Sequence, residues 1–337
     1  MRVSILGAGP AGSTAAYYLA KNGIEVELID RVEFPREKPC AGGLFNPLLY
    51  YDEFPHVKEA EGVYIYKVRF YCGKYEAEHQ SEKPLLKMVL RRDFDYYLLK
   101  LATESGAKFH INKVPEGSVV IDATGVKTPS HYNRAGICMV YDFPVDSDID
   151  TVHIHYGWEG ITGYAWLYPK KGFANIGIGA YLPCRNIKKY YTSYVKFLTS
   201  RGIVNIKHIK YRAKLIPFSP AKIIYDDKLV KIGDAAGFVN SSTGEGIYFA
   251  MLSGKICAEA IIKNRGFDWY LKRCREQFGE YLKRIRFSRA PDLLNRVLEK
   301  AVKIASRDTE FCKTLADNFF RLGNRPVTIQ FLKNLWR

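Results

Sequence analysis

The sequence predicts an α/β protein: a parallel-sheet domain, an antiparallel β-sheet domain inserted into it, and a C-terminal helical cap. Three stretches carry that prediction. Residues 1–30 read as strand, glycine-rich turn, helix and strand. Residues 136–181 read as strands with no long helical period, and residues 266–337 as basic amphipathic helices.

Arg2-Val3-Ser4-Ile5-Leu6 is an apolar strand that runs into Gly7-Ala8-Gly9-Pro10-Ala11-Gly12. Ser13 to Lys21 continues as a helix, and Ile24 to Ile29 forms a second strand ending at Asp30. Gly7 permits the tight turn, Gly9 lets the backbone approach a pyrophosphate, and Gly12 lets helix and strand pack closely. The helix start, with Pro10 and Ala11 in it, presents N–H groups and a positive dipole to phosphate. Asp30, 18 residues past Gly12, is placed to receive the hydroxyls of a ribose. A dinucleotide is the expected ligand.

Residues 31–44 are turn-rich and too irregular for helix or strand. Their basic residues, Arg31 among them, and the run Ala41-Gly42-Gly43 suit a loop folded over a phosphate-bearing or planar ligand. Cys40 is either a proton donor or reactive thiol there, or a small side chain beside tight backbone. Residues 63–79 form a hairpin about Cys72-Gly73-Lys74, and Leu90 to Leu99 opens a helix that ends at Gly106. At its start Arg91 either reaches a cofactor phosphate or ribose or is an ordinary surface arginine. Val119 to Asp122 is a buried strand that breaks at Thr124-Gly125 and joins the nucleotide sheet.

In the second domain, strands are expected over 137–142, 151–156, 164–168 and 173–180. Tyr164, Trp166 and Tyr168 alternate along one strand and face one side. They either wall an apolar substrate or pack as core. His153 and His155 share a strand face with no third ligand nearby, so a metal site is not expected. A helix over 186–200 and a strand over 209–216 follow. Leu229 to Phe238 then delivers Gly233 and Asp234 onto a Gly/Ala-rich helix start, where the acid receives ligand hydroxyls. Gly244-Glu245-Gly246-Ile247 leads into a helix from Tyr248 to Lys263, and helices over 269–289 and 292–322 complete the chain.

The domains divide as 1–50, 85–130 and 213–265 for the nucleotide, 51–84 and 131–212 for the substrate, and 266–337 for the helical C-terminal region. Seven cysteines without C-x-x-C spacing argue against zinc, iron–sulfur clusters and a disulfide framework. Met1 already belongs to the first strand and no apolar run is long enough to span a bilayer, so a cytoplasmic protein is expected. The net charge is +16, and Lys263 to Arg337 holds 18 Lys/Arg against 8 Asp/Glu. That basic region suits anionic lipid headgroups, an acidic protein or a solvated helical face. Nucleic acid is not expected, because no recognition motif accompanies the charge.

With these motifs in view, the chain resembles FAD-dependent oxidoreductases of the p-hydroxybenzoate hydroxylase superfamily, and within it the geranylgeranyl reductase family. Gly7, Gly9, Gly12 and Asp30 match the dinucleotide fingerprint, Arg91-x-x-Phe94-Asp95 the helix-opening arginine motif, and Gly233-Asp234-Ala235-Ala236-Gly237 the flavin motif. Lys38-Pro39-Cys40-Ala41-Gly42-Gly43 looks like the reductases' cysteine and glycine loop beside the flavin. Tyr164-Ala165-Trp166-Leu167-Tyr168-Pro169 looks like their Y-x-W-x-F-P substrate motif.

The resemblance implies a Rossmann-like FAD-binding domain and reduction of carbon–carbon double bonds in an isoprenoid chain or lipid. Cys40 or a bound water would supply the proton. No second G-x-G-x-x-G is present, so electrons would come from transiently docked NAD(P)H or from an acidic ferredoxin. Peripheral contact with an anionic membrane is a further expectation. Two alternatives stand beside this one: a flavin monooxygenase or halogenase, and a non-catalytic flavin- or lipid-binding protein at a membrane surface.

Overall fold

The apolar run Arg2–Leu6 forms β1, and the glycine turn behind it lets α1 (Pro10–Lys21) fold back and return β2 (Glu25–Asp30) parallel to β1. The computed structural model describes residues 1–146, 149–222, 224–226, 229–283 and 291–320. After β2 come β3 (Gly43–Phe45), α2 (Pro47–Glu53), β4 (Val63–Ile65), β5 (Lys67–Cys72), β6 (Tyr75–Gln80) and β7 (Leu86–Met88). They are followed by α3 (Arg91–Glu104), β8 (Lys108–Ile111), β9 (Val119–Asp122), β10 (Ala135–Pro144), β11 (Thr151–Tyr156), β12 (Gly163–Lys170) and β13 (Phe173–Tyr181). The chain continues through α4 (Ile187–Ser200), β14 (Arg212–Pro217), β15 (Leu229–Lys231), α5 (Ile247–Ile262), α6 (Gly266–Lys283), α7 (Pro291–Ala305) and α8 (Thr309–Phe320).

These elements divide between two units. The first takes Met1–Lys38, Arg91–Ala135 and the chain from Leu215 through α6. Its sheet runs β15-β9-β1-β2-β8 with every pair parallel, and Val3 is paired with Val26 on one side and Val119 on the other. A parallel sheet needs cover on its faces, and the central strands β1 and β2 are accordingly buried along most of their length, while the edge strand β8 is not. Helix α1 packs against α3 and α5.

The second unit takes Pro39–Leu90, Gly136–Lys214, α7 and α8. Its main sheet runs β14-β10-β13-β12-β11-β5-β6, beside a small sheet of order β3-β7-β4. The pairs β10–β13, β13–β12, β12–β11 and β5–β6 are antiparallel as expected, whereas β11 joins β5 in parallel. Successive residues alternate between the two faces. One face carries Met139, Ala165, Leu167, Ile176 and Ile178 into an aliphatic core with Tyr191, Val195 and Leu198 of α4. The other carries Tyr164, Trp166, Tyr168, Lys170, Asn175 and Asp142.

Four expectations shift in detail. The hairpin is β5–β6 alone, because β4 pairs with β7 instead. Residues 31–44 end in strand, since Gly43 opens β3. The strand expected over 209–216 is Arg212–Pro217. The helix expected over 292–322 is two helices, because Asp308 accepts the Phe311 N–H at 2.9 Å and starts α8 afresh as an N-cap. Residues 284–289 and 321–322 of the expected C-terminal helices lie outside the described residues.

His153 and His155 lie in the core of the second unit. Tyr71 donates to or accepts from His153 Nδ1 at 3.0 Å and stacks on His155 with ring centroids 4.0 Å apart. Burial pushes His153 down to about 4 and His155 to about 3, so both are neutral near pH 7. Among the described residues no group of three or more His, Cys, Asp or Glu is arranged to hold a metal ion.

Candidate functional site

In the first unit the glycine turn is built by close backbone approach. Gly7 has φ +102°, and a Cβ on it would lie 2.5 Å from the Ala123 carbonyl oxygen. A Cβ on Gly12 would lie 1.9 Å from the Gly7 oxygen, so α1 can enter only over a glycine. Around Gly9 the nearest atom to such a Cβ is Arg36 Nη2 at 3.6 Å, which leaves this side open to close approach. No side chain caps the start of α1, where Pro10 and Ala11 are buried. Half-buried Asp30 accepts the Ala8 N–H at 2.8 Å and the Arg31 N–H at 2.7 Å, tying the turn to the end of β2. The Arg31 side chain is exposed.

Arg91 is buried and bidentate to Asp95, with Nε–Oδ1 at 2.8 Å and Nη2–Oδ2 at 2.9 Å. Asp95 is itself fully buried, and Arg36 Nη2 lies 3.5 Å from its Oδ2. Two guanidinium groups thus share one carboxylate and leave a net positive charge. The Arg36 guanidinium also sits 4.7 Å from the centroid of the Phe34 ring. Arg36 therefore stands between the glycine turn and Asp95, a role sequence reasoning did not assign. Its only signal was a basic residue in an irregular loop.

Strand β9 ends with Asp122 Oδ1 accepting both the N–H and the hydroxyl of Thr124, at 3.0 and 2.6 Å, and Gly125 turns with φ +80°. Gly233 and Gly237 bracket a short 3₁₀ turn that carries Asp234, and Tyr132 holds it by donating to the Asp234 carbonyl at 3.0 Å. Burial pushes the Tyr132 phenol up, so it remains a donor. Gly244 turns with φ +74°, and Gly246 N-caps α5, whose first residue is Ile247. A Cβ on Gly246 would lie 3.2 Å from Asp234 Oδ1, so Asp234 and the start of α5 are brought together. Buried Glu245 accepts the Tyr248 N–H at 2.9 Å and occupies one amide of that helix start.

In the second unit Cys40 and Ala41 are half-buried, while Gly42 and Gly43 are buried. Gly42 has φ +77°, and a Cβ there would lie 2.3 Å from the Val89 carbonyl oxygen. Tyr164, Trp166 and Tyr168 share one face of β12, with adjacent ring centroids 5.4 and 6.4 Å apart. Trp166 and Tyr168 are buried, and the indole lies against Gly177, where a Cβ would come within 2.2 Å of it. Phe319 of α8 packs edge-on to Tyr164 at 5.7 Å.

One carboxamide joins the cysteine loop to this ladder. Trp166 Nε1 donates to Asn175 Oδ1 at 2.8 Å, and Asn175 Nδ2 donates to the Cys40 carbonyl at 3.2 Å and to Asp142 Oδ1 at 2.6 Å. Lys170 Nζ, with a side chain 1% exposed, bonds both Asp142 oxygens at 2.9 and 3.1 Å. Asn175, Asp142 and Lys170 were missed from sequence, since polar residues on strands carry no signal of their partners.

A family model described as an NAD(P)-binding Rossmann-like domain matches residues 5–35, the stretch that builds the glycine turn. A Methanosarcina barkeri protein is 35% identical, aligned over 79% of this chain and 76% of its own length. A digeranylgeranylglycerophospholipid reductase of Methanothermobacter thermautotrophicus is 29% identical over 84% of this chain and 85% of its own. The chain belongs to the geranylgeranyl reductase family of FAD-dependent oxidoreductases. Among solved structures, a geranylgeranyl bacteriochlorophyll reductase-like protein from Thermoplasma acidophilum superposes with TM-score 0.77 at 24% identity. It covers 99% of this chain and 98% of its own, so this reductase shares its fold.

The cofactor of the geranylgeranyl reductase family is FAD, and the residues of the first unit fit it. The side of Gly9 open to a pyrophosphate, the uncapped start of α1 and the positive Arg36–Arg91–Asp95 cluster favour phosphate. Among the described residues no helix of this reductase is long and apolar enough to cross a membrane.

Proposed function

We propose that the protein reduces carbon–carbon double bonds of a geranylgeranyl or other isoprenoid chain, on a lipid or related prenyl substrate. The observation that carries this reading is the hydrogen-bonded unit of Trp166, Asn175 and the Cys40 loop on an aromatic strand face. An aromatic ladder suits a greasy, unfunctionalised chain, and the thiol of Cys40, on the loop bonded to that ladder through Asn175, is a proton source that such a substrate lacks. Curated relatives named for geranylgeranyl and digeranylgeranyl substrates support the reading.

Gly7, Gly9, Gly12, Asp30, Arg36, Asp234 and the Gly244–Ile247 turn would hold FAD, which supplies the reducing equivalents when bound. The chain's own residues supply the rest. An isolated trisubstituted alkene accepts hydride poorly, so reduction is helped by a proton that gives one carbon cationic character. Cys40 Sγ delivers that proton in this reading. Half-buried Tyr164, with the buried Trp166 and Tyr168 packed behind it, stabilises the transient positive charge and helps exclude water that would intercept it. Electrons reach the protein from NAD(P)H or an acidic ferredoxin, and the basic C-terminal region would meet ferredoxin or an anionic membrane. Turnover that falls steeply with salt would assign the donor to ferredoxin, because exposed charge pairs are screened over about 8–10 Å.

The test is anaerobic. Flavin-loaded protein is reduced with dithionite and mixed with a geranylgeranyl lipid, and flavin reoxidation is followed while the lipid is weighed by mass spectrometry. Reoxidation with a gain of about two mass units per double bond, the mass of one added hydride and one proton, is the expected result. Flavin that stays reduced until air enters would favour a monooxygenase or halogenase and overturn the reading.

A further inference from the structure

The carboxamide of Asn175 is 1% exposed and has one orientation that satisfies all its neighbours. An indole N–H only donates, while a backbone carbonyl and a carboxylate only accept. The amide oxygen must therefore face Trp166 and the nitrogen must face Cys40 and Asp142. Asp142 is directly opposite Asn175 on β10, Tyr168 is directly opposite it on β12, and the Lys170 ammonium holds both Asp142 oxygens. The nitrogen end is thus pinned from behind. Because the indole lies close against Gly177, its hydrogen bond to Asn175 fixes which way its N–H turns.

We propose that Asn175 is a positioning residue for the reaction, setting the Cys40 backbone and the Trp166 indole in one arrangement, with Asp142 and Lys170 holding it in place. This rests on the roles given to Cys40 and Trp166 above. Asn175 lies outside both motifs yet bridges them. Aspartate cannot replace it, because a second oxygen would face the Cys40 carbonyl and the Asp142 carboxylate. Leucine fills the space but leaves a buried indole N–H and a buried carbonyl without their partner.

The test reads the Cys40 thiol, with neither flavin nor lipid present. In full-length protein carrying Cys184→Ser, the other cysteines apart from Cys40 are buried. Alkylation of Cys40 by iodoacetamide is timed by peptide mass spectrometry in the parent, Asn175→Leu, Asn175→Asp, Trp166→Phe and the Trp166→Phe/Asn175→Leu double variant. Losing one hydrogen bond to the loop should speed alkylation about fivefold in Asn175→Leu, and at least as much in Asn175→Asp. Trp166→Phe should speed it about twofold alone and add nothing in the Asn175→Leu background, because its effect passes through the amide.

Ile176→Val, on the opposite face, controls for general loosening and should leave the rate unchanged. Additive effects, equal acceleration by Ile176→Val, or no change in Trp166→Phe would each overturn the proposal. Should Asn175→Leu not fold, the Trp166→Phe and Ile176→Val rates decide alone. In turnover, Asn175→Asp should lower kcat about tenfold while KM for the lipid moves less than about twofold. A parent that reduces no alkene would remove the proposed reaction and leave the alkylation result standing.

Discussion

Gly254 on α5 meets Ala11 on α1 so closely that a Cβ at Gly254 would lie 2.4 Å from the Ala11 carbonyl oxygen. Ala11 is in the first turn of the helix expected to face the pyrophosphate, so the packing of α5 sets where that helix begins. Gly254→Ala should cost about 1–3 kcal/mol through overpacking and weaken FAD binding along with it. Urea unfolding of the apoprotein and a flavin titration check both, and a variant matching the parent in each would mean the helices part without consequence.

Arg36→Ala should weaken FAD binding about tenfold, the effect of losing a charge-assisted contact to phosphate. Arg31→Ala, whose side chain is exposed, should change it by less than about twofold. Flavin fluorescence titration distinguishes the two. Equal losses would return the phosphate contact to the fingerprint's neighbour rather than to the residue beside Gly9.

The buried histidines make stability depend on pH. His153 and His155 titrate near 4 and 3 when folded, below their unfolded value, so acid protonates the unfolded chain first. Stability is full above about pH 7 and falls as pH drops from about 6.5 toward 4, at about 1.4 kcal/mol per pH unit for each histidine. Denaturant melts at pH 7, 6 and 5 should show this slope. His155→Gln should remove about half of it, and an unaltered slope would place the acid sensitivity elsewhere.

Phe319 packs with Phe45, Phe70, Tyr156 and Tyr164 at centroid distances of 5.7, 6.0, 6.3 and 5.7 Å. Phe319→Ala should destabilise the protein by about 3 kcal/mol through the cavity it leaves. With α8 loosened from the ladder, KM for a prenyl lipid should rise more than kcat falls. A thermal melt and steady-state kinetics read the two effects, and a higher melting temperature would contradict this packing.

The parts of the fold that were legible are those with a period. The alternation over 151–156 and 164–168 and the glycine spacing behind β1 located β11, β12 and the nucleotide turn, because side-chain direction repeats every two residues and a tight turn requires glycine. The parallel join of β11 to β5 was not legible. Pairing partners more than 80 residues apart leave no local trace, and Thr151–Tyr156 would read the same beside any strand. Arg36, Asp142, Lys170 and Asn175 were hidden for the same reason, since each matters through a partner brought by another segment. Asp308 is different: an Asp three residues ahead of Phe311 is a readable helix start that the continuous amphipathic pattern overrode.

The join between β5 and β11 also orders the way this chain can acquire its structure. As synthesis proceeds, the β5–β6 hairpin emerges with one edge open, and its partner arrives only after the whole segment holding α3, β8 and β9 has been made. Helix α5, which packs on α1, comes later still. Each unit therefore waits on chain that follows part of the other, and neither can finish as a separate early domain. Such long loop closures slow folding more than length alone. During that interval the exposed β5 edge is the place where a chaperone, or a second nascent copy, would find an unpaired strand.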